Sequence, residues 1–231
     1  MPGPFDYTVW ILCTLLEAGV VVCSLLRHSF RRYFTLNLYM MASVATSLGR
    51  YVFLTRSGLA SNEYTYFYYY SDAILTICLY FALMGMYSLV FEELGAKTYV
   101  RAFSMLLLAG TALFSYGVVH QSESRMVTPY VFELSQNLYF VGLVLTYLLW
   151  GAVLKMRETR ARVVQFILSL GVYFSLYAAN YALHNIYPNI GYWMYLPPLI
   201  STLLPIAWCY ALLRFNEDAR LAPARLAVIP R

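Results

Sequence analysis

The chain has 231 residues, of which 61% are hydrophobic and 12% charged, with a formal net charge of +5. A water-soluble domain carries about 25% charged residues, so this composition excludes a molecule whose whole surface faces water; lipid is the missing solvent. Nucleic acid is excluded as the partner of the positive balance, because the basic residues sit in links between apolar runs.

A bilayer core ~30 Å thick needs about 20 mostly apolar residues in a helix rising ~1.5 Å per residue. Seven runs meet this, so the expected fold is all-α: a polytopic transmembrane bundle of about seven helices over residues 1–215. The first, Tyr7–Leu26, has no basic residues before it and is long enough to span, which marks a retained helix and not a cleaved leader. Glu17 lies near its middle, where an ionisable group costs about 2.5–3.5 kcal/mol on insertion scales and needs a partner, a cavity or a job. No basic residue stands at its depth, which leaves a neutral hydrogen-bonded glutamic acid or a proton-coupled carboxyl.

The second run, Phe34–Leu54, follows Arg27, His28, Arg31 and Arg32, a basic anchor. It carries Asn37 and Thr46 towards that end and Arg50 near the other. The third, Tyr64–Phe91, opens on Tyr64-Thr-Tyr-Phe-Tyr-Tyr-Tyr-Ser-Asp72 and exceeds the bilayer's need, so it tilts or projects. Rings with a polar tip suit the membrane–water boundary. The segment reads as an aromatic belt or as a lid that stacks on a flat or cationic ligand.

The fourth run, Tyr99–Val119, ends beside His120. The fifth, Pro129–Leu154, bears Glu133, Gln136 and Asn137 near its start. The sixth, Val163–His184, has Gln165 early and Asn180 and His184 late. The seventh, Tyr192–Phe215, contains Pro197, Pro198 and Pro205, with Ser201 and Thr202 between them. Each proline frees a carbonyl of the preceding turn, which makes this helix the candidate hinge. Residues 216–231 form a short tail, too small for a kinase, cyclase or binding domain.

Thirteen of the 16 basic residues fall on one side: Arg27, Arg31, Arg32, Lys97, Arg101, Lys155, Arg157, Arg160, Arg162, Arg214, Arg220, Arg225 and Arg231. Arg56 and Arg125 fall on the other. Retention of positive links in the cytoplasm then places the C-terminus inside and, with seven crossings, the N-terminus outside. Most of the intramembrane polar residues lie in the outer half. Arg50, Asp72, Glu133, Gln136, Asn137, Asn180 and His184 outline an outward-facing polar and aromatic pocket, with Arg50 as its fixed charge and Asp72 or Glu133 as counter-ion. The alternative is an Arg50–Asp72 ion pair that only locks helix packing. For Glu133 a carboxylate reaching water near the interface is the better reading. The 23 tyrosines, many inside runs, suit a planar ligand or pigment, or ordinary polar glue between helices.

Tyr87-Ser-Leu-Val-Phe-Glu-Glu at the end of the third run resembles Tyr210-Ala-Leu-Leu-Arg-Phe-Asn-Glu-Asp at the end of the seventh. The seven runs divide as three, one and three, the layout of a parallel repeat. The Pro-Gln pair of sugar-transporting three-one-three families is absent. Phe67-Tyr68-Tyr69-Tyr70-Ser71-Asp72-Ala73, entering a helix that ends in Phe-Glu-Glu, resembles a group of uncharacterised multi-helix bacterial membrane proteins. The layout is also similar to the seven-helix sensor modules found ahead of bacterial kinases, which implies sensing; as those modules continue into an effector, sensing here would act through a partner.

Retinal chemistry is excluded, since the only lysines, Lys97 and Lys155, lie in links. His120 and His184 fall on the same side and form the one arrangement open to a metal, haem or pigment; no cofactor is otherwise implied. The cysteines (Cys13, Cys23, Cys78, Cys209) form no CxxC and read as small core residues. No GxSxG, HExxH or phosphate-binding glycine loop is present, so an enzyme is not expected. The expected function is a non-catalytic binding, sensory or structural subunit in the bacterial inner membrane, acting through another membrane protein or a second copy. A small-molecule or ion transporter with a three-one-three layout is the alternative.

Overall fold

The computed structural model describes residues 4–58, 61–91, 97–121, 127–155, 159–187, 196–215 and 220–221. They form seven helices: α1 (Pro4–Leu26), α2 (Phe34–Ser57), α3 (Asn62–Val90), α4 (Lys97–Gln121), α5 (Val127–Lys155), α6 (Ala161–Ile186) and α7 (Leu196–Arg214). Each of the first six runs past its apolar stretch, because a helix leaving the hydrocarbon keeps its hydrogen bonds whatever its side chains. Residues 192–195, expected in the seventh helix, lie outside the described residues. A two-residue antiparallel pairing joins β1 (Thr159–Arg160) to β2 (Arg220–Leu221).

Six of the helices are long and apolar enough to cross a bilayer, which makes this a multi-pass membrane protein. The exception to the expected seven is α2. Its 24 residues would reach ~36 Å, but Asn37, Arg50, Arg56 and a run of hydroxyls dilute its apolar character. It is nonetheless seated among the others, packed on both α1 and α3. Large apolar side chains face outward throughout, among them Leu15, Leu106, Leu113, Leu148 and Leu154. Lipid can cover such a surface; water would leave it as one extended apolar patch.

Six helices close a circuit of neighbours: α1 with α2, α2 with α3, α3 with α5, α5 with α6, α6 with α7, and α7 with α1. Across the circuit α3 also touches α6. The remaining helix, α4, leans on α5 and α3 from outside. Among its described residues the buried ones are Ser104, Thr111 and Ser115, while Phe103, Leu106, Leu113, Phe114 and Tyr116 are exposed. Thr111 and Ser115 donate back to Leu107 O and Thr111 O, so this small, self-satisfied stripe lets backbones approach. Tyr80 of α3 donates to Ser104 O at 2.7 Å and ties the outer helix on.

The core is aromatic at its centre. Trp208 is fully buried, donates to Ser169 Oγ at 2.8 Å and meets Tyr39 and Phe166 edge-on. The α2–α3 turn is set by Gly58, at φ 77°, and by Ser61, whose hydroxyl accepts from the Tyr64 N–H at 3.1 Å as an N-cap.

At the end where α1, α3 and α7 finish and α2 and α6 begin, arginines act as ties. Arg162, 2% exposed, donates to Phe215 O and to Ser29 Oγ. Arg27 donates to Leu213 O at 3.1 Å. Two cations thus sit on the terminal carbonyls of α7, where unpaired C=O groups and the helix dipole favour positive charge.

Candidate functional site

The polar residues gather in the half of the bundle opposite those ties. Arg50, near the end of α2, lies across from the first turns of α3. Its Nε and Nη2 donate to Ser71 Oγ at 3.1 and 2.9 Å, and Nη2 reaches Tyr68 O at 3.4 Å. Ser71 donates its own proton to Tyr68 O, leaving its lone pairs for the guanidinium. The Arg50 Cζ stands 4.3 Å above the Tyr68 ring, a cation–π arrangement. Among the described residues the guanidinium is therefore held by a hydroxyl, a carbonyl and a ring, with no carboxylate among its bonded partners. Asp72, one residue beyond Ser71, is half-buried and faces both Arg50 and the Ser135 hydroxyl of α5, within reach of the charge but without a direct bond to it.

Ser71 can serve because Gly49 brings α2 close to α3. A Cβ at Gly49 would run into the Phe67 ring, which stacks on Phe53 with centroids 4.5 Å apart. Tyr66, Tyr68 and Tyr70 are exposed on the same turns. The tyrosine run thus splits by face, with Phe67 and Ser71 inward and Tyr66 and Tyr70 outward.

Deeper in the bundle lies a tyrosine cluster. Tyr173, Tyr177 and Tyr181 recur every four residues on α6 and so share one face. Tyr139 of α5 stacks on Tyr177 with centroids 4.6 Å apart and 5° between planes, and sits 5.7 Å from Tyr181. The Tyr173 hydroxyl lies towards those of Tyr39 and Tyr177, and the Tyr177 hydroxyl donates to Pro197 O at 3.3 Å. The cluster links α2, α5, α6 and the start of α7. It also explains Gly142, where a Cβ would strike the buried Phe174 ring.

Glu17 is 6% exposed at the meeting of α1, α2 and α7. Its Oε1 accepts from Ser43 Oγ at 2.7 Å and from the Cys13 thiol at 3.5 Å, while Oε2 has no hydrogen-bond partner. Cys13 also reaches towards Ser201 Oγ, at 3.9 Å. Another buried acceptor of the polar half, Asn180 Oδ1, is likewise without a partner. Buried polar groups are usually satisfied, but such atoms are not peculiar to this half, since Asn37 Oδ1, Trp150 Nε1 and Arg160 Nη1 are others.

Other expected residues go elsewhere. Glu133 accepts from Asn137 Nδ2 at 3.3 Å, and that amide also donates to Ser115 Oγ at 3.0 Å, so both belong to the α4–α5 seam. Gln136 is half-buried and His184 exposed. His120 lies against Tyr116 on α4, whose packing partners are α3 and α5, while His184 sits on α6 beyond α5. Among the described residues no group of three or more His, Cys, Asp or Glu side chains could hold a metal ion. Of the three prolines, Pro197 and Pro198 occupy the first turn of α7, where the missing N–H would be unused. Only Pro205 lies inside the helix, so the freed carbonyl is that of Ser201, beside Cys13.

With this geometry in view, the chain was compared with known proteins. No family model, curated protein or solved structure matches it. The site must be read from its own residues. It offers one fixed cation with an aromatic face, a carboxylate 22 positions further along the chain, and a wall of phenols. That set can bind and orient a polar or flat molecule.

Proposed function

We propose that the protein is a non-catalytic binding or sensory subunit of a bacterial inner membrane. In this reading all seven helices cross, with the N-terminus outside and the basic end in the cytoplasm. The pocket between α2, α3, α5 and α6 faces outward and works through a second membrane protein or a second copy. The observation that carries the reading is the Arg50 site: a half-buried guanidinium with no bonded carboxylate, one ring on its face, and Asp72 and the tyrosine wall beyond. A purely structural arginine would be expected to pair tightly, because an intramembrane charge is costly without a partner.

A second reading, a small-molecule or ion transporter, is favoured by the neighbour relations. Exchanging α1–α3 with α5–α7 carries each pair in the circuit into another pair, α1·α2 into α5·α6, α2·α3 into α6·α7, and α3·α5 into α7·α1. A two-fold repeat with α4 as the odd connector would have this property. Glu17, buried with one oxygen unpartnered, would be the coupling group.

Gentle solubilisation from native membrane followed by mass measurement separates the two. The binding-subunit reading expects a retained small molecule or a stoichiometric protein. An empty monomer that takes up solute in liposomes supports the transporter, and an empty monomer without uptake contradicts both.

A further inference from the structure

The basic end contains a groove that the outer pocket does not use. Its volume is ≈ 660 Å³, and it lies between the start of α2, the last turns of α3 and the residue preceding α6. Two guanidinia line it, those of Arg32 and Arg160, with the Thr35 and Ser88 hydroxyls beside them and Phe34 and Leu89 as apolar walls. We propose that this groove binds a phosphate-bearing anion through Arg160 and Arg32, and that the anion is the headgroup of an acidic phospholipid.

Arg160 carries the argument. The neighbouring arginines spend their donors inside the protein, Arg162 on Phe215 O and Ser29 Oγ, Arg27 on Leu213 O. Arg160 lines the groove and, among the described residues, its side chain makes no such bond; its buried Nη1 is without a hydrogen-bond partner. Its backbone is held in antiparallel pairing with Arg220, so the side chain is presented from a fixed strand. A planar fork with free donors matches two phosphate oxygens at once. Gly85 shapes the floor, since a Cβ there would collide with the Thr35 hydroxyl and push α2 off α3.

The apolar surface continues from the groove into the bilayer. Phe34 lines the groove and is exposed, and Leu38, Met41, Leu48 and Val52 follow it along one outward stripe of α2. A free phosphate would use only the guanidinia; a phospholipid would use both the guanidinia and the stripe. Basic pockets between helices at a membrane surface recognise anionic headgroups by this chemistry. The inference rests on the chain spanning a membrane and not on the identity or occupancy of the outer pocket. Which leaflet supplies the lipid follows from the orientation proposed above.

The test uses the full chain in detergent with phosphatidylglycerol, phosphatidylcholine and inorganic phosphate as probes, read by native mass spectrometry and by titration. Phosphatidylglycerol should bind at least ten-fold more tightly than phosphatidylcholine, and Arg160→Gln should remove that preference. Arg31→Gln, an exposed charge outside the groove, should change affinity less than two-fold. If Arg160→Gln does not fold, Ser88→Asp, which sets a carboxylate opposite the guanidinia, should give the same loss. Equal binding of the two lipids, or equal effects of Arg160→Gln and Arg31→Gln, overturns the proposal. Complete displacement of phosphatidylglycerol by millimolar inorganic phosphate overturns the lipid and leaves a soluble anion as the ligand.

Discussion

Arg162 and Arg50 lie towards opposite ends of the bundle and do opposite things. Arg162 is sealed and gives its donors to Phe215 O and Ser29, so the end of α7 and the α1–α2 link are fastened to α6. Arg50 is only half-buried and rests on Ser71, Tyr68 O and the Tyr68 ring, with Asp72 facing it but not bonded. A cation that satisfies backbone carbonyls is a structural tie, because it has no capacity left. A cation balanced by a hydroxyl and a ring can exchange those for a better acceptor. The location of an intramembrane arginine says less about its role than the identity of its partners.

The largest expected effect follows from the tie. Arg162→Ala should cost about 3 kcal/mol, since bonds to a charged donor are worth about 1.5–3 kcal/mol each and their loss takes the guanidinium from the Phe215 carbonyl, while Ser29 keeps only its bond to Arg27 O. Thermal unfolding in detergent measures this, and a shift no larger than that of Arg31→Ala would erase the distinction between the arginines. Next come the glycines. Gly142→Ala forces a methyl onto the Phe174 ring in the core and should cost about 1–3 kcal/mol. Gly49→Ala meets the half-buried Phe67, which has more room to turn, so its cost should be smaller.

Ser43→Ala should destabilise by about 1–3 kcal/mol because it strips the Glu17 carboxyl of its main donor. In the Ser43→Ala background, Glu17→Leu should restore part of that loss; no recovery would mean that the carboxyl has another partner. The smallest stability effect is assigned to Arg50→Ala, under about 1 kcal/mol, because Ser71 keeps its bond to Tyr68 O when the guanidinium is gone. Retained ligand or partner should nevertheless be lost. A large fall in melting temperature with retention intact would turn Arg50 into a second tie.

The helices were legible because hydrophobic length is a one-dimensional property: the expected runs and the observed helices agree to a few residues at the ends that can be compared. α2 shows where that signal thins, since Asn37 and Arg50 lower its apolarity while neighbours still enclose it. The site was legible in part. Depth alone drew attention to Glu17, Arg50 and Asp72, which the structure places in or beside the polar interior. Depth cannot report helix face: Asn137 lies at the depth of Arg50 but turns towards α4, and Glu133, expected to reach water, turns there with it. The four-residue spacing of Tyr173, Tyr177 and Tyr181 was visible in the sequence, but the more crowded run at Tyr64–Tyr70 drew attention first, and several of its rings face outward. Arg162 could not be distinguished from its basic neighbours, because burial at a link depends on which chain ends meet there.

The proposed function places the two ends of the bundle in different compartments. In a chain whose four cysteines are replaced, Ser57→Cys and Thr159→Cys would be exposed in turn to a membrane-impermeant thiol reagent on intact cells. Ser57→Cys should label at once, and Thr159→Cys only after the membrane is opened. Labelling of Thr159→Cys from outside would contradict the account, as would protection of Ser57→Cys until permeabilisation.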